Sequence, residues 1–396
     1  MRVIRTAANI LIIWLSVNPL TAQKIGISLF NETPVKSVVI SSFKGYYRIY
    51  CDSDYVSDLM PDDVIYISLI NKNLAIRNSK KPLGVFSSVW FQAADSNSVI
   101  RLNVVSPNAG VRQFNDNLHV SVAFNRILLV NEINSDNYIA GVVEAEAGPN
   151  ADVEFYKAQS ILARTYLFGH FYRHETEGFQ LCDEVHCQAY HGRSIKNPII
   201  VQATNSTSGL VVVGGDTSFI TAVFHANCGG QTESASNTWL SGKPYLQPIK
   251  DPFCQNSSSA HWTKTISLDQ WKTYLKGHGM KLKPGMSPGL FDFTQINRKL
   301  FYKVLKDSVP VKQIRSDFQL KSSFFSIITT EKEVTFKGRG AGHGVGMCQE
   351  GAMQMAKIGY KYEDILAYYY KGIRVVKYSE VIKFQASKPF ADSSSY

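Results

Sequence analysis

Apolar and polar residues alternate through much of residues 24–130, and short polar segments separate the apolar runs. A period of two is typical of β-strands that bury one face. The clearest predicted strands are Ile25–Phe30, Ser37–Ser41, Tyr46–Tyr50 and Val99–Val105. These strands predict a β-rich N-terminal domain over residues 24–126. No candidate catalytic residue stands out in it.

The pattern changes to helical spacing from about Ser135. Ser135–Asn137 is a predicted N-cap for a helix over 138–147, and Gly148–Pro149 ends it. Apolar residues at the 3.6-residue period predict a second helix over 152–172. Further along the chain, the pattern predicts strands at 209–213 and 219–224, and helices at 271–275, 351–358 and 362–370.

The predicted fold class is therefore α+β, with the β-rich domain followed by a mixed α/β domain over 127–385. Residues 258–330 carry many lysines and are predicted to form an insertion or subdomain within it. Residues 386–396 are expected to be a flexible tail.

The chain begins with the features of an export signal. Arg2 and Arg5 precede an apolar run over 7–17, and small residues end the segment at Ala22. The run is too short to span a bilayer, and no other stretch is long enough. We therefore predict a signal peptide over 1–22, no transmembrane segment, and a periplasmic, cell-envelope or extracellular location. A buried N-terminal helix or strand is the alternative.

Composition narrows the class of protein. Hydrophobic residues are 44% of the 396, which excludes a mostly disordered chain, and the net charge is +10. A basic exported protein favours anionic wall polymers over nucleic acid. Six cysteines in a chain of this length do not make a disulfide scaffold, although some could pair or bind metal after export.

Glu146 is the most informative single residue. Seven residues of helix turn roughly 700°, so Glu146 lies within about 20° of Ile139 on the apolar face, whereas Glu144 lies roughly 140° from Ile139 on the predicted polar face. Desolvation should raise the pKa of Glu146, as a general acid requires. The alternative is a structural Glu146 that extends to solvent or pairs with Lys157 or Arg164.

Two other segments carry candidate chemistry. The loop 173–192 contains His174, Cys182, His186 and Cys187, which could bind Zn²⁺; a local Cys182–Cys187 disulfide is equally open. The segment 338–347 has five glycines around His343, which indicates close approach of a ligand or a tight structural turn.

Cys228 follows a predicted strand closely after His225. The odd separation of the two residues places them on opposite strand faces, which disfavours a thiol nucleophile with a histidine base. A Cys228–Cys254 disulfide remains open.

Five blocks of the sequence together resemble the stage II sporulation protein D / amidase-enhancer (SpoIID/LytB) family, over about residues 127–375. They occur in the family's order: Tyr138-Ile-Ala-Gly-Val-Val-Glu-Ala-Glu146, Lys157-Ala-Gln-Ser-Ile-Leu-Ala-Arg-Thr-Tyr166, Cys187-Gln-Ala-Tyr190, His225-Ala-Asn-Cys-Gly-Gly-Gln-Thr232 and Gly342-His-Gly-Val-Gly-Met-Cys-Gln-Glu-Gly-Ala352. The family's usual Met after the catalytic Glu is replaced here by Ala147.

The resemblance implies a peptidoglycan lytic transglycosylase that cleaves glycan strands, preferably those lacking stem peptides. It implies Glu146 as catalytic acid and base, 1,6-anhydromuramic product ends, and a cell-wall amidase as a partner. By resemblance, the expected substrate-binding residues are Arg164, Gln188, Tyr190, His343 and Gln349. One family branch binds zinc in the same loop, for which the nearest ligands here are His174, Cys182 and Cys187, with His186 in reserve.

Two other functions remain open. The first is a non-catalytic wall-binding protein or amidase enhancer on the same fold. The second is a wall-associated structural partner that binds through residues 24–130.

Overall fold

The protein is described by a computed structural model that covers residues 23–238 and 241–387. It has the predicted α+β architecture, with strands concentrated in the N-terminal part. The predicted signal peptide over 1–22 lies outside the described residues, as do residues 388–396 of the predicted tail.

From residue 23 onward, twelve strands precede the first helix. They are β1 (Lys24–Leu29), β2 (Ser37–Lys44), β3 (Tyr47–Cys51), β4 (Asp54–Leu59), β5 (Val64–Ile70), β6 (Asn73–Asn78), β7 (Pro82–Phe86), β8 (Ser88–Ala93), β9 (Val99–Ser106), β10 (Gly110–Asn115), β11 (Asn117–Ala123) and β12 (Arg126–Asn134). All four strands that the sequence marked most clearly are confirmed, because alternating burial follows the alternating pattern.

These strands form two sheets with a shared core. One sheet has the order β10-β9-β2-β5-β6-β7. The other contains β1, β12, β11, β8, β3 and β4 in that order, and β12 pairs antiparallel with both β1 and β11. The chain therefore leaves the N-terminal sheet directly into the first helix.

The two predicted helices follow as α1 (Ser135–Ala147) and α2 (Val153–Gly169). The cap of α1 is one residue earlier than predicted: the Asn134 side chain accepts hydrogen bonds from the main-chain N–H groups of Asp136 and Asn137. Gly148 ends the helix with a positive φ of 70°.

The remaining elements are all shorter than α1. They are β13 (Leu181–Cys182), α3 (Pro198–Ser206), β14 (Leu210–Val213), β15 (Phe224–His225), α4 (Ala235–Thr238), β16 (His261–Ser267), α5 (Leu268–Gly277), β17 (Phe301–Val304), β18 (Asp307–Pro310), α6 (Val311–Asp317), β19 (Phe325–Thr329), β20 (Glu333–Arg339), β21 (Met347–Cys348), α7 (Gln349–Lys357), α8 (Tyr362–Tyr369), β22 (Arg374–Lys377) and α9 (Tyr378–Ser387). The predicted strand over 219–224 is wrong except at its end, since only Phe224–His225 forms a strand.

Two hydrophobic cores organise these elements. One is continuous from the N-terminal sheets through α1, α2, α7 and α8. The other lies between Ile266 and Phe336 and is centred on buried Trp271. The strands β16, β20 and β19 form the sheet of this second unit. No helix among the described residues is long and apolar enough to cross a membrane.

The loop between α2 and α3 returns to the N-terminal sheet. Its strand β13 pairs parallel with β1, with Ser28 opposite Cys182. The buried carboxylate of Asp183 then accepts hydrogen bonds from the main-chain N–H groups of Phe30 and Asn31 and pairs with Arg112 at 2.9 Å. The N-terminal domain thus fixes one side of the cysteine-bearing loop.

Candidate functional site

Glu146 lies in the last turn of α1 with a half-buried side chain. Its Oε1 accepts a hydrogen bond from the main-chain N–H of Ala189 at 3.1 Å. Burial raises the pKa of Glu146; the Ala189 hydrogen bond and the nearby His191 oppose the shift more weakly. The predicted direction of the pKa shift is therefore confirmed.

The two basic residues that could have neutralised Glu146 are engaged elsewhere. Lys157 pairs with Glu154 at 2.8 Å, and Arg164 pairs with Asp136 at 2.7 Å. A structural ion pair between Glu146 and either residue is therefore not formed. The carboxyl group keeps the raised pKa and the partial exposure that proton transfer requires.

The expectation that Arg164 contacts substrate is wrong. Its side chain is only 1% exposed. Besides Asp136, its guanidinium donates hydrogen bonds to the main-chain carbonyls of Thr204, Thr207 and Leu210. Arg164 is therefore an internal brace that joins α1, α2 and the end of α3.

Glu144 does not face solvent, contrary to its position on the predicted polar face. It is 8% exposed. Its carboxylate accepts hydrogen bonds from the Ser194 hydroxyl and from the main-chain N–H groups of Ile195 and Lys196, at 2.7 to 3.2 Å. The loop before α3 covers this face of α1, so Glu144 holds that loop.

Tyr190 is also a supporting residue rather than a sugar contact. Its ring is fully buried between Tyr138 and Phe114, at centroid distances of 5.0 and 5.9 Å. Gln188 is buried too, and its Oε1 faces the Tyr138 hydroxyl at 3.5 Å. The expected contact of Tyr190 with substrate is wrong; the buried pair instead positions the intervening Ala189.

Gly141 permits this close approach. A Cβ added there would lie 2.3 Å from the Gly192 carbonyl oxygen and 2.5 Å from the Tyr190 ring. Only glycine on this face of α1 lets the loop 188–192 pack against the helix one turn before Glu146. The sequence marked Gly141 only as part of a family block, and it gave no sign that Ala189 would be the hydrogen-bond donor.

Gln349 contacts Glu146 although the two residues are far apart in the chain. It is the first residue of α7, and its Nε2 donates to the Glu146 main-chain carbonyl at 3.3 Å. The strand before it, β21, pairs parallel with β15. The glycine-rich segment therefore ends directly beside the helix that carries Glu146.

His343 lines a cavity of about 360 Å³ between the glycine-rich segment and the second core unit. Lys299, Lys312 and Arg315 also line it, with Glu233 on the same wall. Burial lowers the pKa of His343 to about 4, so the imidazole is neutral at pH 7 and offers hydrogen bonds rather than charge. The positive charge at this cavity comes from the lysines and Arg315.

The loop 173–192 brings four potential metal ligands together. Their ligand atoms all lie within 4.8 Å of one another: His174, Cys182, His186 and Cys187. Cys187 Sγ lies 3.4 Å from His174 Nε2 and 3.7 Å from His186 Nδ1, and both cysteines are free thiols. The reserve residue His186 thus completes a Cys₂His₂ set, which suits tetrahedral Zn²⁺.

The surroundings of His174 fit the same role. Its Nδ1 donates to Glu177 at 2.5 Å, which leaves Nε2 directed at Cys187. Metal-bound histidines commonly donate their other nitrogen to a carboxylate in this way. A hydrogen bond from Cys182 lowers the pKa of Cys187 to about 7, which favours the thiolate that binds metal.

Comparison of the sequence with known proteins points to one family. Residues 124–213, which contain α1, α2 and the cysteine loop, match the family model of the stage II sporulation protein, SpoIID. This match and the curated relatives support the resemblance of the chain to the SpoIID/LytB family. The chain is 28% identical to stage II sporulation protein D of Bacillus subtilis over 276 residues, covering 65% of this chain and 79% of that protein.

Two further relatives match different shares of the chain. An uncharacterised protein of Brachyspira hyodysenteriae is 27% identical over 359 residues, which cover 89% of this chain and 93% of the relative. The amidase enhancer of Bacillus subtilis is 26% identical over 295 residues, which cover 61% of this chain and 40% of the enhancer.

Proposed function

We propose that this protein is an exported lytic transglycosylase that cuts peptidoglycan glycan strands, with Glu146 as the single general acid and base. The observation that carries the proposal is the environment of Glu146. Its side chain is half-buried, its pKa is raised, and its carboxylate accepts a hydrogen bond from the Ala189 N–H. The two basic residues nearest in sequence, Lys157 and Arg164, form ion pairs with other residues. The resemblance to the SpoIID family supports the choice of reaction.

The reaction needs one carboxyl group that acts twice. Protonated Glu146 gives its proton to the glycosidic oxygen as the bond from that oxygen to C1 of the muramic residue breaks. The resulting carboxylate takes the proton of the C6 hydroxyl, whose oxygen bonds to C1. The products are a free hydroxyl end and a 1,6-anhydromuramic end, and Glu146 is protonated again.

The cavity beside His343 supports a substrate without stem peptides. Removal of the peptide leaves a lactyl carboxylate on each muramic residue. Lys299, Lys312 and Arg315 line this cavity and offer charge-assisted hydrogen bonds to such a group. We therefore expect cleavage of denuded strands to exceed cleavage of strands that keep their peptides.

The test is mass spectrometry of denuded glycan after incubation with the purified mature protein. Wild-type protein should release anhydromuramic ends. Glu146→Gln should reduce their release by at least about 100-fold, because the amide keeps the shape but cannot donate a proton. Glu331→Gln, an exposed carboxylate in the turn between β19 and β20, is the matched control and should retain activity.

A second candidate function follows from the relative named amidase enhancer. In that case the protein would bind glycan and stimulate a cell-wall amidase without cutting the strand. Wild-type protein that yields no anhydromuramic ends, but raises amidase activity equally with Glu146→Gln, would replace the first proposal with this one.

We also propose that the loop 173–192 binds one structural Zn²⁺ through His174, Cys182, His186 and Cys187. Zinc would hold the loop that presents Ala189 to Glu146, without taking part in bond cleavage. A chelator should remove it, whereas a Cys182–Cys187 disulfide would yield only to reductant. Protein purified without chelator that contains no metal would contradict this assignment.

A further inference from the structure

A second cluster of cysteines lies outside the loop 173–192. It is formed by Cys228 just after β15, Cys348 at the end of β21, and Asp251 and Cys254 in the loop before β16. All four residues are buried, and one ligand atom from each lies within 4.8 Å of the others. Three separate chain segments therefore converge on one point in the interior.

The distances fit a shared metal ion. Cys228 Sγ lies 3.4 Å from Cys254 Sγ and 3.2 Å from Asp251 Oδ2. Two ligands on a tetrahedral zinc ion, with bonds of about 2.0 to 2.3 Å, lie roughly 3.3 to 3.8 Å apart. All three cysteines are free thiols in the structure.

The buried carboxylate of the cluster also favours a bound cation. Asp251 is fully buried, and it has no lysine or arginine partner in the part of the chain that the structure describes. A buried carboxylate among three thiols is costly unless a positive charge compensates it. A disulfide between any two of the cysteines would leave the third thiol and this carboxylate uncompensated.

The neighbouring groups orient the ligands. Tyr369 donates a hydrogen bond to Asp251 Oδ2 at 2.9 Å, and the Phe253 N–H donates to Oδ1 at 2.9 Å. The sulfur of Cys348 accepts from the main-chain N–H groups of Cys228 and Gly351, at 3.2 and 3.4 Å. Such outer contacts are typical of metal sites and stabilise thiolate ligands.

Gly351 shows how closely these groups are packed. A Cβ there would lie 2.4 Å from Asp251 Oδ2 and 2.3 Å from the Tyr369 hydroxyl. The first turn of α7 can therefore approach the cluster only because residue 351 has no side chain.

We propose that Cys228, Asp251, Cys254 and Cys348 form a second structural site for a divalent metal of the zinc class. Each thiol that binds releases its proton to solvent, so no oxidant or reductant is involved. The site joins β15, the 251–254 loop and the start of α7. Gln349 follows Cys348 directly, so the metal fixes the residue that contacts the Glu146 carbonyl.

The experiment counts metal ions in the full-length mature chain, purified under reducing conditions without chelator. Wild-type protein should hold about two equivalents of zinc, one per ligand cluster. The double variant Cys182→Ser/Cys187→Ser should keep one, and Cys254→Ser/Cys348→Ser should lose one. Cys51→Ser, a buried free thiol of the N-terminal sheet, is the matched control and should keep both.

A milder variant tests the second site without removing a metal ligand, so it is less able to disturb the fold. Tyr369→Phe removes only the hydrogen bond to Asp251, and it should lower the metal affinity of the second site about 10- to 100-fold while helicity is unchanged. This affinity is measured by competition with a chelator in the Cys182→Ser/Cys187→Ser background.

Two outcomes would overturn the second site. One is a folded Cys182→Ser/Cys187→Ser protein without metal. The other is a disulfide among Cys228, Cys254 and Cys348, detected by non-reducing mass spectrometry. Both are independent of whether the protein cleaves glycan.

Discussion

Individual carboxylates on α1 differ in role although they are two residues apart. Glu146 keeps an exposed edge and a raised pKa, whereas Glu144 is fully used in hydrogen bonds to the loop 194–196. The difference comes from which part of the chain covers each side of the helix. It leads to three predictions, one for the pH dependence of cleavage and two for stability.

Under the proposed mechanism, the raised pKa of Glu146 sets the pH dependence of cleavage. A general acid must be protonated, so the rate constant should fall as pH rises through the folded-state pKa of Glu146, which lies above the ordinary value of about 4.3. The check is a pH–rate profile for release of anhydromuramic ends. A rate that rises across this window would contradict the acid role.

The same shift affects stability with a definite sign. Because the folded state binds this proton more tightly, the stability that Glu146 provides is present below the unfolded pKa and is lost as pH rises through the folded pKa. The Glu146→Gln variant has no carboxyl group to ionise, so it does not lose this stability as pH rises. Urea unfolding should therefore show a larger stability advantage of the variant over wild type at neutral pH than near pH 4.

Glu144→Gln should destabilise the fold and leave the chemistry of each folded molecule unchanged. The amide cannot accept every hydrogen bond from Ser194, Ile195 and Lys196, and hydrogen bonds to charged groups contribute about 1.5–3 kcal/mol. Chemical denaturation gives the free energy of unfolding, and activity is normalised to folded protein. Unchanged stability would return Glu144 to the solvent-facing role that its helical position suggested.

At the scale of elements, the site depends on a helix that tolerates close packing. The loop 188–192 rests on α1 at Gly141, and the cysteine-bearing part of that loop pairs with β1. The Ala189 N–H therefore reaches Glu146 only when helix, loop and N-terminal strand are all in place.

Gly141→Ala should displace the loop and lower cleavage at least tenfold, because the new methyl group would meet Gly192 and Tyr190 inside contact distance. Gly277→Ala in α5 is the matched control, since no atom lies within 4 Å of its added Cβ. The control should be neutral or gain up to about 1 kcal/mol. Circular dichroism and glycan cleavage distinguish the two; equal activity would show that the loop does not need this contact.

At the scale of the whole molecule, the N-terminal sheets and the helical part pack together. Their apolar residues form a continuous core, β12 runs directly into α1, and Asp183 is held by the main chain of Phe30 and Asn31. The unit between β16 and β20 has its own core around Trp271 and can be expected to unfold separately.

A fragment that begins at Ser135 should therefore fail to fold. It loses the sheet against which α1 and the cysteine loop pack, and with it a large part of the shared core. The full chain from residue 23 is the control. Size-exclusion chromatography and far-ultraviolet circular dichroism give the result, and a compact fragment with native-like helicity would show that the helical part is independent.

The sequence by itself determined the four clearest strands of the N-terminal region and the helices α1, α2, α7 and α8, and it singled out Glu146 as the candidate acid. These depend on local periodicity, turn residues and motif order, which can be read from residues close together in the sequence. The same local signals misplaced the strand at 219–224, where β15 covers only two residues because its partner is the equally short β21.

Only the tertiary structure decided which side chains face the site. Helical spacing put Glu144 on the polar side, but a loop 50 residues away covers it; motif membership put Arg164 and Tyr190 at the substrate, but both are buried as supports. The cluster around Asp251 likewise joins residues up to 120 positions apart. Such contacts depend on how distant segments pack, and no local pattern encodes that packing.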